Sequence, residues 1–312
     1  MEPPASRRRG PGLAGGATAA VAGLSAWFRH LGSPAPRPRV VVGTERVPER
    51  YGDGLRQTGE WWLPPGAATG LLPTVVLVHG GYWRAQYDAS LEDALAADLA
   101  GRGFLVWNVD YAASDRPWPT TLTDVAAAYD HLGVGRFADR VDPARVAVAG
   151  HSAGGQLALW LASRQEVRSG GPGALVQGRP GWGAVPARPG VAPRPVVVVA
   201  QAPVAALVQG ARLGLGRGAV TALLGGSPEQ VPERYQAADP VGLLPTGVRT
   251  VLVHGQADDT VPMSQSEQYV AAANRAGDDS RLVLVPGGHF EHLDPRTPAI
   301  AALREALAAL QT

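Results

Sequence analysis

Short unbroken apolar runs alternate along this chain with stretches of helical period, and that alternation restricts the fold more than any other feature. Thr74–Val78, Phe104–Val109, Arg145–Ala149, Pro195–Ala200, Thr250–Val253 and Arg281–Val285 each read as a strand. A strand that is apolar at nearly every residue is buried on both faces, which requires helices on either side of its sheet. Leu91, Leu95 and Leu99 recur at helical spacing behind Ser90 and Asp93, which are placed as a capping box, and Gly101 and Gly103 close that helix. Thr121 to Leu132 reads as a second helix capped by Thr121, a third runs through Leu157–Leu161, and the last covers about Pro298 to Leu310. Strands joined by helices pair in parallel through right-handed crossovers. The expected fold is a three-layer α/β domain with a mostly parallel central sheet.

Two regions fall outside this alternation. Residues 1–38 place Arg7-Arg8-Arg9 before an uncharged stretch from Gly10 to Phe28, then the Pro-rich Ser33–Pro38. That order resembles a secretion signal, but a segment of Gly, Ala, Ser and Thr has little drive into a bilayer. A disordered leader and a cytoplasmic location are expected; secretion or anchoring through residues 7–28 is the alternative. The domain is expected over residues 39–312. Within it, residues 169–193 are dominated by Gly and Pro and read as a loop insertion, because the alternation resumes after them.

Composition removes several chemistries. All 28 cationic residues are Arg, so Schiff-base, pyridoxal-phosphate and P-loop lysine chemistry is excluded. With no Cys there are no disulfides, thiolate metal sites or Cys nucleophile. A net charge of +1 supplies no basic field for nucleic acid or an anionic membrane.

Gly150-His151-Ser152-Ala153-Gly154 lies directly between a strand and a helix. A sharp turn there would lift Ser152 above the sheet, and the outer glycines would admit the close backbone contacts of that turn. The Ala153 N–H, at the helix start, is then aimed where an oxyanion would develop. His79-Gly80-Gly81-Tyr82-Trp83 ends the 74–78 strand on the same rim, and its glycines can turn the amides around Gly80, Gly81 and Tyr82 toward the same point. Of the seven histidines, His289 sits in a glycine-loosened loop after the last strand and is the candidate base, with His292 as the alternative. His151 occupies the elbow's variable position. Asp258, after the 250–253 strand, is the candidate orienting acid; Asp259 is the fallback, more suited to capping the helix near Ser264, and Asp110 is next. The order Ser152, Asp258, His289 matches that of α/β-hydrolases. A metal site from His289, Glu291, His292 and Asp294 lacks metalloprotease spacing. No cofactor and no metal are expected.

The chain resembles the α/β-hydrolase superfamily of esterases and lipases. His79-Gly80-Gly81-Tyr82-Trp83 is similar to the HGGxW turn of kynurenine formamidases (arylformamidases), and His289-Phe290 with Leu293-Asp294-Pro295 resembles the segment around that family's catalytic histidine. His254-Gly255 with Asp258 and Val261-Pro262 resembles the family's HGxxDxxVP pattern, which places the acid at Asp258. The resemblance covers about residues 45–310 without the Gly/Pro insertion. It implies a serine hydrolase acting on a small ester or amide, of carboxylesterase or arylformamidase type. The alternatives are a prolyl-oligopeptidase-type peptidase, short of the propeller that family usually carries, and a non-catalytic binding protein of the same fold.

Overall fold

The structure, a computed structural model, describes residues 44–66, 70–116, 118–175 and 193–312. The expected leader at 1–38 and positions 176–192 of the expected insertion lie outside them. Eight strands make one sheet in the order β1-β2-β4-β3-β5-β6-β7-β8. They are β1 (Glu45–Arg50), β2 (Thr58–Leu63), β3 (Leu72–Val78), β4 (Leu105–Val109), β5 (Val141–His151), β6 (Val197–Gln201), β7 (Arg249–Gly255) and β8 (Ser280–Val285). From β4 to β8 every pairing is parallel. The apolar runs of the sequence are β3 to β8: β3, β5, β7 and β8 extend beyond the expected runs, β4 starts one residue later at Leu105, and β6 is shifted to Val197–Gln201. Alternate residues feed two cores: Val76, Val78, Trp107 and Val148 on one face, and Val75, Leu77, Val106 and Ala147 on the other.

The antiparallel β1–β2 pair escapes an apolar-run reading for a physical reason. β1 is an edge strand with polar residues, a proline at position 48 and only Val47 buried, as an edge needs. In β2, Gly59 interrupts the pattern because it lies against Trp107: a Cβ there would sit 2.5 Å from the indole ring. Trp61 stacks on the same Trp107 at 4.5 Å between centroids.

Helices cover both faces. They are α1 (Asp93–Gly101), α2 (Thr120–Asp130), α3 (Ala153–Ala162), α4 (Leu207–Arg212), α5 (Leu215–Leu224), α6 (Pro232–Ala238), α7 (Ser264–Ala276) and α8 (Pro298–Leu307). Two expected caps are corrected. Ser90 lies inside a 3-10 turn whose cap is Asp88, which accepts the Ser90 N–H before α1 begins at Asp93. Thr121 lies inside α2 rather than capping it, and its hydroxyl donates to the Ala112 carbonyl at 2.6 Å. His131 caps the C-terminal end of α2 and faces Glu49 at 3.0 Å. Between β6 and β7, α4 to α6 form a helical excursion on the carboxyl side of the sheet. Among the described residues no helix is long and apolar enough to cross a membrane.

Candidate active site

The turn between β5 and α3 carries Ser152 at φ 58° and ψ −117°, a left-handed conformation unusual for a residue with a Cβ. Such a conformation costs about 1–3 kcal/mol and persists only where the surroundings impose it. Here they do. The Ser152 N–H donates to the Gln201 carbonyl at 2.7 Å, at the end of neighbouring β6, and its own carbonyl accepts from Gln156 at 3.2 Å. A Cβ on Gly150 would meet the Gly154 carbonyl oxygen at 2.3 Å, and one on Gly154 would meet the Val78 oxygen at 1.9 Å. Both glycines are therefore required by backbone contact. Ser152 is buried at the carboxyl ends of the parallel strands, and Ala153 opens α3 beside it.

The turn after β3 runs alongside. At Gly80 a Cβ would lie 2.8 Å from the His151 carbonyl and 3.2 Å from the Ser152 Cβ, so that glycine lets the turn touch the elbow. Gly81, Tyr82 and Trp83 all have positive φ, which swings this backbone around the serine. The Tyr82 hydroxyl donates to the Thr260 carbonyl at 2.9 Å, tying the turn to the loop after β7. His79 is pinned from behind. Its Nδ1 reaches the Gly80 carbonyl at 2.7 Å, its Nε2 lies 3.1 Å from Asp110, and its ring stacks on Tyr111 at 4.2 Å.

Asp258 and His289 meet across two loops. His289 Nδ1 donates to Asp258 Oδ2 at 2.7 Å, and both side chains are almost wholly buried. In a neutral imidazole that bond uses the Nδ1 proton, and Nε2 is then the acceptor. Asp258 Oδ1 accepts the amides of Thr260 at 2.9 Å and Val261 at 2.8 Å. Burial alone would raise this carboxyl, but hydrogen bonding from His254 and His289 holds it far below the usual carboxylate range. The loops can touch because residue 255 is glycine: a Cβ there would lie 2.6 Å from the carbonyls of Gly287 and Gly288. His254 Nε2 donates to the Val261 carbonyl at 3.0 Å and lies 3.4 Å from Asp258 Oδ2, bracing the carboxylate from below.

The other candidates have different partners. Asp259 is exposed and accepts from the Thr260 hydroxyl at 3.1 Å; it does not cap α7, whose cap position is Met263. Asp110 pairs with Arg56 and His79, not His289. Burial would raise its carboxyl too, yet the His79 and Arg56 hydrogen bonds keep it below its ordinary value. His292 is buried behind His151, with ring centroids 5.6 Å apart, and burial pushes it down to about 3. Glu291 accepts the Gly288 amide and Asp294 pairs with Arg296, and among the described residues no His/Asp/Glu group could hold a metal.

Sequence reasoning passed over two residues in this constellation. His254 enters the sequence reading only as the start of the pattern that ends in Val261-Pro262, with no role of its own. His151, treated as the variable elbow position, has its Nε2 2.9 Å from the His289 carbonyl.

Comparisons with known proteins agree with the fold. Residues 61–272 match the model of the BD-FAE family. The carboxylesterase NlhH of Mycobacterium tuberculosis is 36% identical over 92 residues, and that stretch spans 29% of this chain and 29% of NlhH. A truncated carbohydrate esterase from gut microbiota superposes with a TM-score of 0.72 at 19% identity, covering 88% of this chain and 98% of that one. Esterase B from Lactobacillus rhamnosis gives a TM-score of 0.72 at 19% identity, covering 94% and 95%.

Proposed function

From the premise that this chain belongs to the BD-FAE family and has the α/β-hydrolase fold, we propose that it is a serine hydrolase of small carboxylic esters. The reading is carried by the His289–Asp258 hydrogen bond, formed on the same rim as the strained Ser152 turn. Ser152 Oγ attacks the substrate carbonyl while His289 Nε2 takes its proton, and the Asp258 carboxylate stabilises the imidazolium that forms. The Ala153 amide and the turn at Gly80, Gly81 and Tyr82 receive the oxyanion. His289 returns the proton to the leaving group. Water, deprotonated by the same imidazole, then hydrolyses the acyl-enzyme. No step requires a metal or cofactor. The esterases similar to this chain support the ester reading, while the His79–Trp83 turn supports an aryl formamide as the amide substrate to set against it.

A serine-directed fluorophosphonate tests the reading. It should label the native chain and leave Ser152→Ala unlabelled, and kcat on p-nitrophenyl acetate should fall about 10⁴-fold or more in that variant. Undiminished labelling or activity in Ser152→Ala refutes it. Comparing p-nitrophenyl esters of increasing chain length with N-formylkynurenine then decides ester against formamide.

A further inference from the structure

We propose that His151 is a positioning residue, tying the nucleophile turn to the loop that carries His289. The inference rests on the serine-hydrolase reading above. Ser152 follows β5 and His289 follows β8, with β6 and β7 between them in the sheet. No shared element therefore sets the distance between nucleophile and base. The His151 side chain spans that gap. The His151 Nε2–H donates to the His289 backbone carbonyl at 2.9 Å, and the two rings lie 4.6 Å apart. On its other side, a Cβ on Gly80 would lie 3.1 Å from His151 Nδ1, so the ring also abuts the oxyanion turn. His151 immediately precedes the nucleophile, and its imidazole touches the backbone of the base and the glycine beside the oxyanion site.

The chemistry of the ring suits this task. Donation from Nε2 needs no proton on Nδ1, so a neutral imidazole can hold the carbonyl. Burial, with His289 and His292 adjacent, keeps His151 well below its ordinary value, although its bond to the His289 backbone and the Asp258 charge both act to raise it. When His289 gains the serine proton, its tilted neighbour 4.6 Å away adds no second positive charge. An apolar side chain of similar volume would fill the space but leave the His289 carbonyl unheld.

The test uses the full chain with p-nitrophenyl acetate and three variants. His151→Leu removes the donor, His151→Asn keeps a polar group too short to reach, and His151→Gln can donate from nearly the same place. His151→Leu and His151→Asn should lose about 10- to 100-fold in kcat with KM changed less than about twofold, because a displaced base weakens the transition state rather than substrate binding. His151→Gln should recover most of that loss. A merely structural histidine would lower melting temperature without this split or rescue. A His151→Leu enzyme with native kcat, or a His151→Gln enzyme no better than His151→Asn, overturns the proposal; the second comparison decides alone if the leucine variant does not fold. Fluorophosphonate labelling of the native chain, absent in Ser152→Ala, shows separately whether the serine-hydrolase reading stands.

Discussion

Asp258→Asn changes a single oxygen to an amide nitrogen, and the surrounding hydrogen bonds dictate where that nitrogen goes. Oδ1 accepts the Thr260 and Val261 amides, while Oδ2 accepts from His289 Nδ1. An asparagine must keep its only oxygen on the two backbone donors, since its NH₂ turned toward them would set donor against donor. The NH₂ group therefore falls at the Oδ2 position. There it meets the His289 Nδ1–H at 2.7 Å and the His254 N–H at 3.4 Å, both donors. The clash at His289 is relieved only if that imidazole carries its proton on Nε2, and Nε2 can then no longer accept the Ser152 proton. A wrong-tautomer base in a Ser-His-Asp triad lowers kcat about 10⁴-fold, or about 5 kcal/mol of barrier. Folding should survive, because the loop keeps its two backbone bonds and loses one charge-assisted partner, at about 1–3 kcal/mol. Steady-state kinetics on p-nitrophenyl acetate, thermal melting by circular dichroism and nitrogen-15 NMR of the imidazole tautomer read these effects separately. Asp259→Asn, at an exposed side chain bonded only to its neighbour's hydroxyl among the described contacts, should stay within about threefold of native kcat. An Asp258→Asn enzyme retaining more than a tenth of native kcat would refute the donor-count argument, as would equal losses at the two positions.

Other consequences are open to direct measurement. Gly154→Ala should unfold the chain or lower its stability by several kcal/mol, because the new Cβ would lie 1.9 Å from the Val78 oxygen and 2.4 Å from that of His79. Gly242→Ala, with nothing within 4 Å of the new Cβ, is the matched control, and similar melting temperatures for the two would contradict the steric account. Glu92 is buried with neither carboxyl oxygen bonded, and burial reinforced by Asp93 pushes it up from 4.5 to about 8. Below pH 4.5 this carboxyl is protonated whether the chain is folded or not; between 4.5 and 8 the folded chain keeps a proton that the unfolded chain has lost. Stability should therefore fall with rising pH across that window, at up to about 1.4 kcal/mol per pH unit. Glu92→Gln should flatten the slope in urea melts, and an unchanged slope would exclude Glu92 as its source.

Sequence alone specified whatever is set by backbone conformation and local period. The inner strands β3, β4, β6, β7 and the end of β5 were legible because a strand covered on both faces has to be apolar throughout, and β8, a half-exposed edge, kept enough of the same pattern. The turn at Gly150–Gly154 was legible because only glycine tolerates the contacts that follow when a strand bends sharply into a helix. The adjacency of Asp258 and Asp259 left one choice that spacing alone narrows, and backbone bonding then distinguishes them: Asp258 turns inward onto Thr260, Val261 and His289, and Asp259 stays in solvent. What escaped the sequence depends on surfaces that meet only after the sheet has assembled. β2 forms because Gly59 fits beneath Trp107, 48 residues on, a packing match with no periodic signature. Asp110 is claimed by Arg56 and His79, which come from β2's approach and from the end of β3, and so it is drawn away from His289. His151 finds the His289 carbonyl 138 residues further along the chain. In each case the partner is chosen by strand order, and strand order results from long-range packing that no local stretch of residues encodes.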